Sequence, residues 1–135
     1  MISIYKLEVN STKGKRPYVL TEEDVLAGRR FEDAIAIGTW PIEEWGYDGK
    51  VKIKFSTTNA GYDIPASCLM SATVDNLYFA GKNISASTRA IASARVMGTC
   101  LQTGYAAGRI ASNSSGEDQH QTIKELTRDL SRSRL

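Results

Sequence analysis

The chain has one histidine, two cysteines and three prolines among 135 residues, and the first two scarcities each close a class of function. With His120 alone, no multi-histidine zinc site can form, no metal site is expected, and at most one imidazole is available as a base. Its neighbours Gln119 and Gln121 place it in a polar tail. Cys68 and Cys100 lie far apart, fit no metal or redox spacing, and are too few for a disulfide scaffold, so they read as reduced, packed thiols. No apolar run reaches the roughly eighteen residues that a membrane span requires, so no membrane partner is expected.

Charge of one sign is missing too. Seventeen basic residues are scattered among fifteen acidic ones for a net +2, without a stripe that could follow a phosphate backbone, so nucleic acid is not expected as a partner. Arg128, Arg132 and Arg134 gather at the end, where a solvated helix terminus accounts for them. Residues 1–7 alternate as a strand would and lack the charged start, apolar stretch and cleavage site of a signal peptide; a cytoplasmic location is the expectation. What is present, 41% apolar and 24% charged residues, is the composition of a globular chain with a core.

Along the chain, a basic turn at residues 13–17 leads to a short strand at 18–20. Thr21 followed by Glu22, Glu23 and Asp24 predicts a helix whose start is closed by a reciprocal Thr21–Asp24 capping box, with Gly28 as its left-handed stop. A well-capped surface helix explains these acids, and no chemistry is expected of them. Residues 34–40 alternate as a strand closed by Pro41. In residues 50–55, lysines alternate with Val51, Ile53 and Phe55, which predicts one packed face and one wet lysine face.

Small polar residues at 57–61 mark a loop and a candidate boundary. Beyond it, residues 76–81 are nearly all apolar and end in Gly81, the pattern of a strand buried on both faces in a layered α/β structure. A hydroxyl-rich loop through Ser85, Ser87 and Thr88 precedes a helix expected from about Arg95 to Ala111. A polar segment, 112–118, then separates it from a last helix at 122–130, with Ile123, Leu126 and Leu130 on one face for docking. The expected fold class is α/β, or α+β for the chain taken alone.

The helix at 95–111 carries Gly98, Gly104 and Gly108, each costing about 1 kcal/mol against alanine in a helix interior. Gly104, Gly108 and Ala111 make a side-chain-poor stripe, which spacing alone assigns to tight helix-on-sheet packing before ligand contact. The order of elements adds weight to a ligand. A strand ending at Gly81, the polar Asn83, a hydroxyl-rich loop and a glycine-rich helix start form an arrangement in which free amides and a helix dipole meet an anion.

Four strings carry a resemblance: YDIPASCLM at 62–70, VDNLYFAGKNISAS at 74–87, ASARVMGTCLQTGYAAG at 92–108, and the earlier YVLTEEDVLAGRRFEDAIAIGTWPIEEW at 18–45. Together they resemble the C-terminal part of the FAD-dependent oxidoreductases with a glutathione-reductase-like FAD fold. The resemblance implies part of a β-rich substrate or cap region over residues 1–59 and the closing strand and helix of an FAD-binding domain over 60–112. Residues 113–135 would be a linker and terminal helix. It implies FAD as cofactor and an unknown small-molecule substrate, with hydride transfer at the flavin.

Residue by residue, it places 77–81 as the last strand of the FAD domain and Asn83 where relatives often carry an acidic residue on the ribityl chain. Gly81, Ser85, Val96, Met97, Gly98, Thr99 and Cys100 are the candidate cofactor contacts, the amides of the last three facing the flavin. Many relatives have proline where Gly98 stands, which suits a first-turn position. Arg95 matches, more loosely, an arginine that faces substrate in fumarate-reductase-type flavoproteins; a structural ion pair is the other reading. Histidines that the family often has at the position of Thr88 and near Trp45 are absent here, so no chemistry is carried over to them.

No Gly-x-Gly-x-x-Gly turn occurs in the chain, so the seat for the FAD pyrophosphate is missing from it. Alone, the chain is therefore expected neither to retain FAD nor to turn over, the dinucleotide-binding half coming from a longer parent or a separate partner. The alternative is a non-catalytic subunit or degenerate module that completes a partner's fold. Either way, exposed sheet surface would favour self-association.

Overall fold

The computed structural model describes residues 17–113 and 116–133. The expected strand at 1–7 lies outside the described residues, as does most of the basic turn at 13–17. The element order is α1 (Glu22–Ala27), β1 (Ala34–Gly38), β2 (Ile42–Trp45), β3 (Val51–Lys54), β4 (Tyr62–Pro65), α2 (Thr88–Ala94), α3 (Met97–Ala111) and α4 (Gly116–Arg132). Single 3₁₀ turns at Ala66–Cys68 and Gly81–Asn83 complete it. Two antiparallel pairs, β1 with β4 and β2 with β3, make this a mixed α/β structure, as expected. Among the described residues, no helix is long and apolar enough to cross a membrane.

α1 forms where its cap dictates. The Asp24 amide donates to Thr21 Oγ1, the Thr21 amide returns a bond to Asp24 Oδ2 at 2.9 Å, and Gly28 ends the helix at φ 62°. Buried Asp24 also accepts from the Tyr18 hydroxyl at 2.8 Å and from Arg29 Nη1 at 2.9 Å. Arg29 in turn lies over the Tyr18 and Phe31 rings. Burial alone would raise the Asp24 pKa, but the Thr21 amide, Tyr18, Arg29 and the Thr21 hydroxyl together outweigh it and hold the carboxyl below its usual range.

β1 is the centre of the fold: it pairs with β4, and both α3 and α4 pack on it. Small residues make this possible. Ala36 of β1, Ala90 and Ala94 of α2, and Ala106 of α3 are all fully buried, letting backbones approach, while Leu20, Ile64, Leu69 and Ile110 fill the space between. Gly38, paired with Tyr62, has no room for more: a Cβ there would sit 2.2 Å from the Tyr62 ring. Tyr62 donates to Ser93 (2.8 Å), which spends its own proton on the Trp40 carbonyl. Burial pushes the Tyr62 hydroxyl up to about 12, against the lowering effect of the Ser93 bond. As expected, α4 docks through Ile123 and Leu126, though it begins at Gly116, inside the segment read as a linker.

Four expectations are corrected in whole or in part. Residues 76–81 form no strand; they are joined to the rest by a Met70–Tyr78 bridge and a Phe79-to-Leu69 backbone bond, with Leu77 exposed. An apolar run buries both faces only when strands flank it, and no such strands lie beside this one among the described residues. Residues 18–20 likewise make only a parallel bridge, Leu20 to Ala86. The helix expected from about Arg95 is present but starts at Met97, and Arg95 instead caps the end of α2, a helix not expected from the sequence.

The fourth is the β2–β3 hairpin, whose apolar face is not packed, while Lys50 and Lys52 are exposed as expected. Val51, Ile53 and Phe55 face outward with Trp45, Phe55 at 73% exposure, while half-buried Lys54 reaches Glu22 at 2.6 Å. Glu22 also binds Arg89, which holds Glu44 of β2. This network, together with buried Ile42, holds the Lys54 end of the hairpin against the body. The alternation was legible; which side met the body was decided by Glu22, distant in sequence.

Gly38→Ala should destabilise the chain by about 1–3 kcal/mol, the cost of overpacking a full site, seen as a lower thermal midpoint by circular dichroism. For Asp24 the folded pKa lies below the unfolded one, so its stabilisation is complete above about pH 4 and fades as pH falls through the folded value. The stability gap between the protein and Asp24→Asn should therefore narrow in acid; a gap constant from pH 6 to pH 2.5 would contradict this.

Candidate functional site

The start of α3 differs from the other capped helix starts. Thr21 and Asp24 close the amides of α1, and the Ser87 hydroxyl accepts from the Ala90 amide in α2, but Val96, the N-cap of α3, has no side chain that can accept. No acidic residue stands in its first turn. Met97 is 84% exposed and Gly98 is open, with nothing within 4 Å of where a Cβ would lie. The positive end of a fifteen-residue helix is thus presented bare to the surface.

The amides of Met97, Gly98 and Thr99 have no partner among the described residues. Cys100, expected among them, donates its amide to the Val96 carbonyl at 2.9 Å. Arg95 is exposed immediately before this turn and makes no ion pair among the described residues. Its guanidinium adds positive charge to a helix end that already carries it.

The Gly81–Asn83 turn packs against α3. Gly81, at φ 60°, lies against Cys100, whose Sγ is 3.5 Å from its Cβ position, and donates its amide to Thr103 Oγ1 at 3.0 Å. Thr103 is fully buried and gives its own proton to the carbonyl of Thr99 or Cys100. Asn83 is exposed, its carboxamide offering a donor and an acceptor. The fold therefore brings Gly81 against Cys100 and Thr103, with Val96 to Thr99 opening the same helix. Ser85 is engaged elsewhere: its amide goes to the Cys68 carbonyl and its carbonyl accepts from Leu20.

Two residues that fix this arrangement were not singled out from sequence. Thr103 is one. The other is Gln102, whose Oε1 accepts the Ile37 amide at 3.0 Å while its Nε2 donates to the Ile37 carbonyl and to the Gly98 carbonyl, each at 3.2 Å. Adjacent polar residues inside a helix of small and apolar ones were the available signal. Cys68 is buried, its thiol pushed up to about 12 by burial, and Cys100 is half-buried; both are free thiols.

The glycine stripe does not pack. Gly104 and Gly108 are exposed with nothing within 4 Å of their Cβ positions, and beside them Leu101 (74% exposed) and Tyr105 (61%) complete a bare apolar face. A cleft of about 170 Å³ lies off the end of β1, between residues 38–41 and 55–62, and none of its lining comes from the α3 start.

A family model described as FAD dependent oxidoreductase matches residues 10–134. No curated protein and no solved structure matches the chain. Gln102→Ala should leave both Ile37 peptide groups without the partners that side chain supplies, at about 1–3 kcal/mol for each one that water cannot reach. Hydrogen exchange should accelerate at Ile37 more than at Ala36 or Ile64.

Proposed function

The chain belongs to the FAD-dependent oxidoreductase family, and from that premise we propose that it is the C-terminal part of a flavoenzyme, with residues 60–112 closing the FAD-binding domain. Residues 1–59 are then part of a β-rich substrate or cap region, and 113–135 a linker with a terminal helix. The observation that carries this reading is the open start of α3 beside the Gly81–Asn83 turn.

The residues present fit the cofactor. Met97, Gly98 and Thr99 keep their amides free, Gly98 leaves room for a flat ring to approach, and no carboxylate opposes negative charge there. Asn83, in the turn that packs on α3, is exposed and offers a neutral hydrogen-bonding group for the ribityl chain. Bound FAD supplies hydride transfer, and the protein supplies position and polarity. The α3 amides would stabilise negative charge at the ring's pyrimidine edge, Gln102 keeps the first turn of α3 fixed to β1, and Arg95, which makes no ion pair among the described residues, would attract an anionic group of substrate or cofactor.

The pyrophosphate seat is not in this sequence, so a dinucleotide-binding half must be supplied by a longer parent or a partner. The bare face of Leu101, Gly104, Tyr105 and Gly108 suits a backbone packed closely against α3, and the same exposed surface favours a chain that associates when alone. That face also serves the second reading, a non-catalytic subunit completing a partner's fold.

Titrating the purified chain with FAD should give no stoichiometric yellow complex; a one-to-one complex with a shifted band would show that the chain needs no other half. Gly98→Ala, in open space, should raise stability by up to about 1 kcal/mol and yet weaken flavin binding in the complete protein. Unchanged flavin affinity would remove Gly98 from the cofactor site.

A further inference from the structure

We propose that the cleft at the end of β1 is a subsite for a single neutral sugar ring, which deepens the flavoenzyme reading by naming a substrate class and rests on it for that role. The cleft holds about 170 Å³, room for one ring and below the range of drug-sized ligands. Trp40 and Phe55 are among its walls and both are exposed, 48% and 73%. Among the residues lining it, none carries a charge. An acid, an amine or a phosphate would have to shed water there without gaining an opposite charge.

The polar groups of the cleft narrow the ligand further. Thr39 and Asn59 make no side-chain hydrogen bond among the described residues, whereas Ser56 and Thr58 are engaged with the Leu26 and Gly61 carbonyls. A hydroxyl and a carboxamide together offer donors and acceptors in about equal measure, which matches neighbouring sugar hydroxyls, each of which both gives and accepts. The C–H bonds on one face of a pyranose carry slight positive charge and lie favourably on the negative face of an aromatic ring. A purely apolar ligand would leave Thr39 and Asn59 unused.

The site is built rather than accidental. Ser93 of α2 binds the Trp40 carbonyl, and Tyr62 holds Ser93, so the backbone under Trp40 is fixed from the core. Gln102 ties Ile37, the residue before the cleft begins, to the first turn of α3, linking cleft and cofactor-facing helix end through one side chain.

The test is a titration of the isotope-labelled 135-residue chain, followed by amide shifts, with methyl glucoside, methyl galactoside, glucuronate and cyclohexanol. At least one methyl glycoside should give saturable shifts confined to residues 38–41 and 55–62, with glucuronate and cyclohexanol weaker. Trp40→Ala and, separately, Asn59→Ala should each weaken binding roughly tenfold, the effect of losing about 1.4 kcal/mol. Their unshifted amides elsewhere would report an intact fold, and Phe55→Ala replaces Trp40→Ala should the latter unfold. Absence of saturation by both glycosides, or equal binding of cyclohexanol or glucuronate, overturns the proposal. No flavin enters the titration, so its failure leaves the cofactor reading standing, while FAD titration of the complete protein tests that reading alone.

Discussion

The structure depends on one side chain's hold on one residue. Gln102 grips both peptide groups of Ile37 and so acts as a short stretch of strand against β1. Through its third bond, to the Gly98 carbonyl, the same amide connects the sheet to the first turn of α3. Helix packing on a sheet through alanines is permissive about sliding, because small side chains interlock weakly. Directional bonds from Gln102 select one position out of those that apolar burial would tolerate. The start of α3, the Gly81–Asn83 turn bound through Thr103, and the cleft after Ile37 then take fixed places relative to one another.

With that frame fixed, the distribution of apolar surface takes on meaning. The chain buries a core of small residues around β1 yet turns two apolar faces outward, on α3 and on the β2–β3 hairpin. Neither face is loosely placed. α3 is held by Gln102 and Thr103, and the hairpin by the ion network of Lys54, Glu22, Arg89 and Glu44, whose partners lower the Glu22 pKa chiefly through Arg89 and Lys54. Rigidly presented apolar faces lose little further entropy when covered, which is the condition under which buried area converts well into affinity.

The sequence announced local structure better than it announced partners. Thr21 and Asp24 specify the start of α1 because every group needed lies within four residues, and Ile123 and Leu126 specify the docking face of α4 by period alone. Residues 76–81 carry the composition of a central strand but not the neighbours that would make them one. The β2 strand went unread because Ile42 to Trp45 mixes acids with apolar residues, and its pairing with β3 is set by register rather than composition. Likewise the orientation of the hairpin rests on Glu22 and Arg89, contacts that no local pattern encodes. Of the site, the glycines and the helix opening were legible; the division at Arg95 and the loss of the Cys100 amide were not.

That division strengthens the chemistry assigned to the helix opening. A continuous helix from α2 through α3 would have consumed the amides of Met97, Gly98 and Thr99 in its own ladder, leaving no positive end at that point. Breaking it at Arg95 and Val96, with extended backbone at Val96 (ψ 154°), frees three amides in the middle of a helical stretch. A side-chain cap such as Ser87 would have covered one of them again, and an acid such as Asp24 would have cancelled the dipole. Valine at the cap does neither. A helix start left open in this way costs about 1 kcal/mol relative to a capped one, a cost that an anionic group bound there would offset.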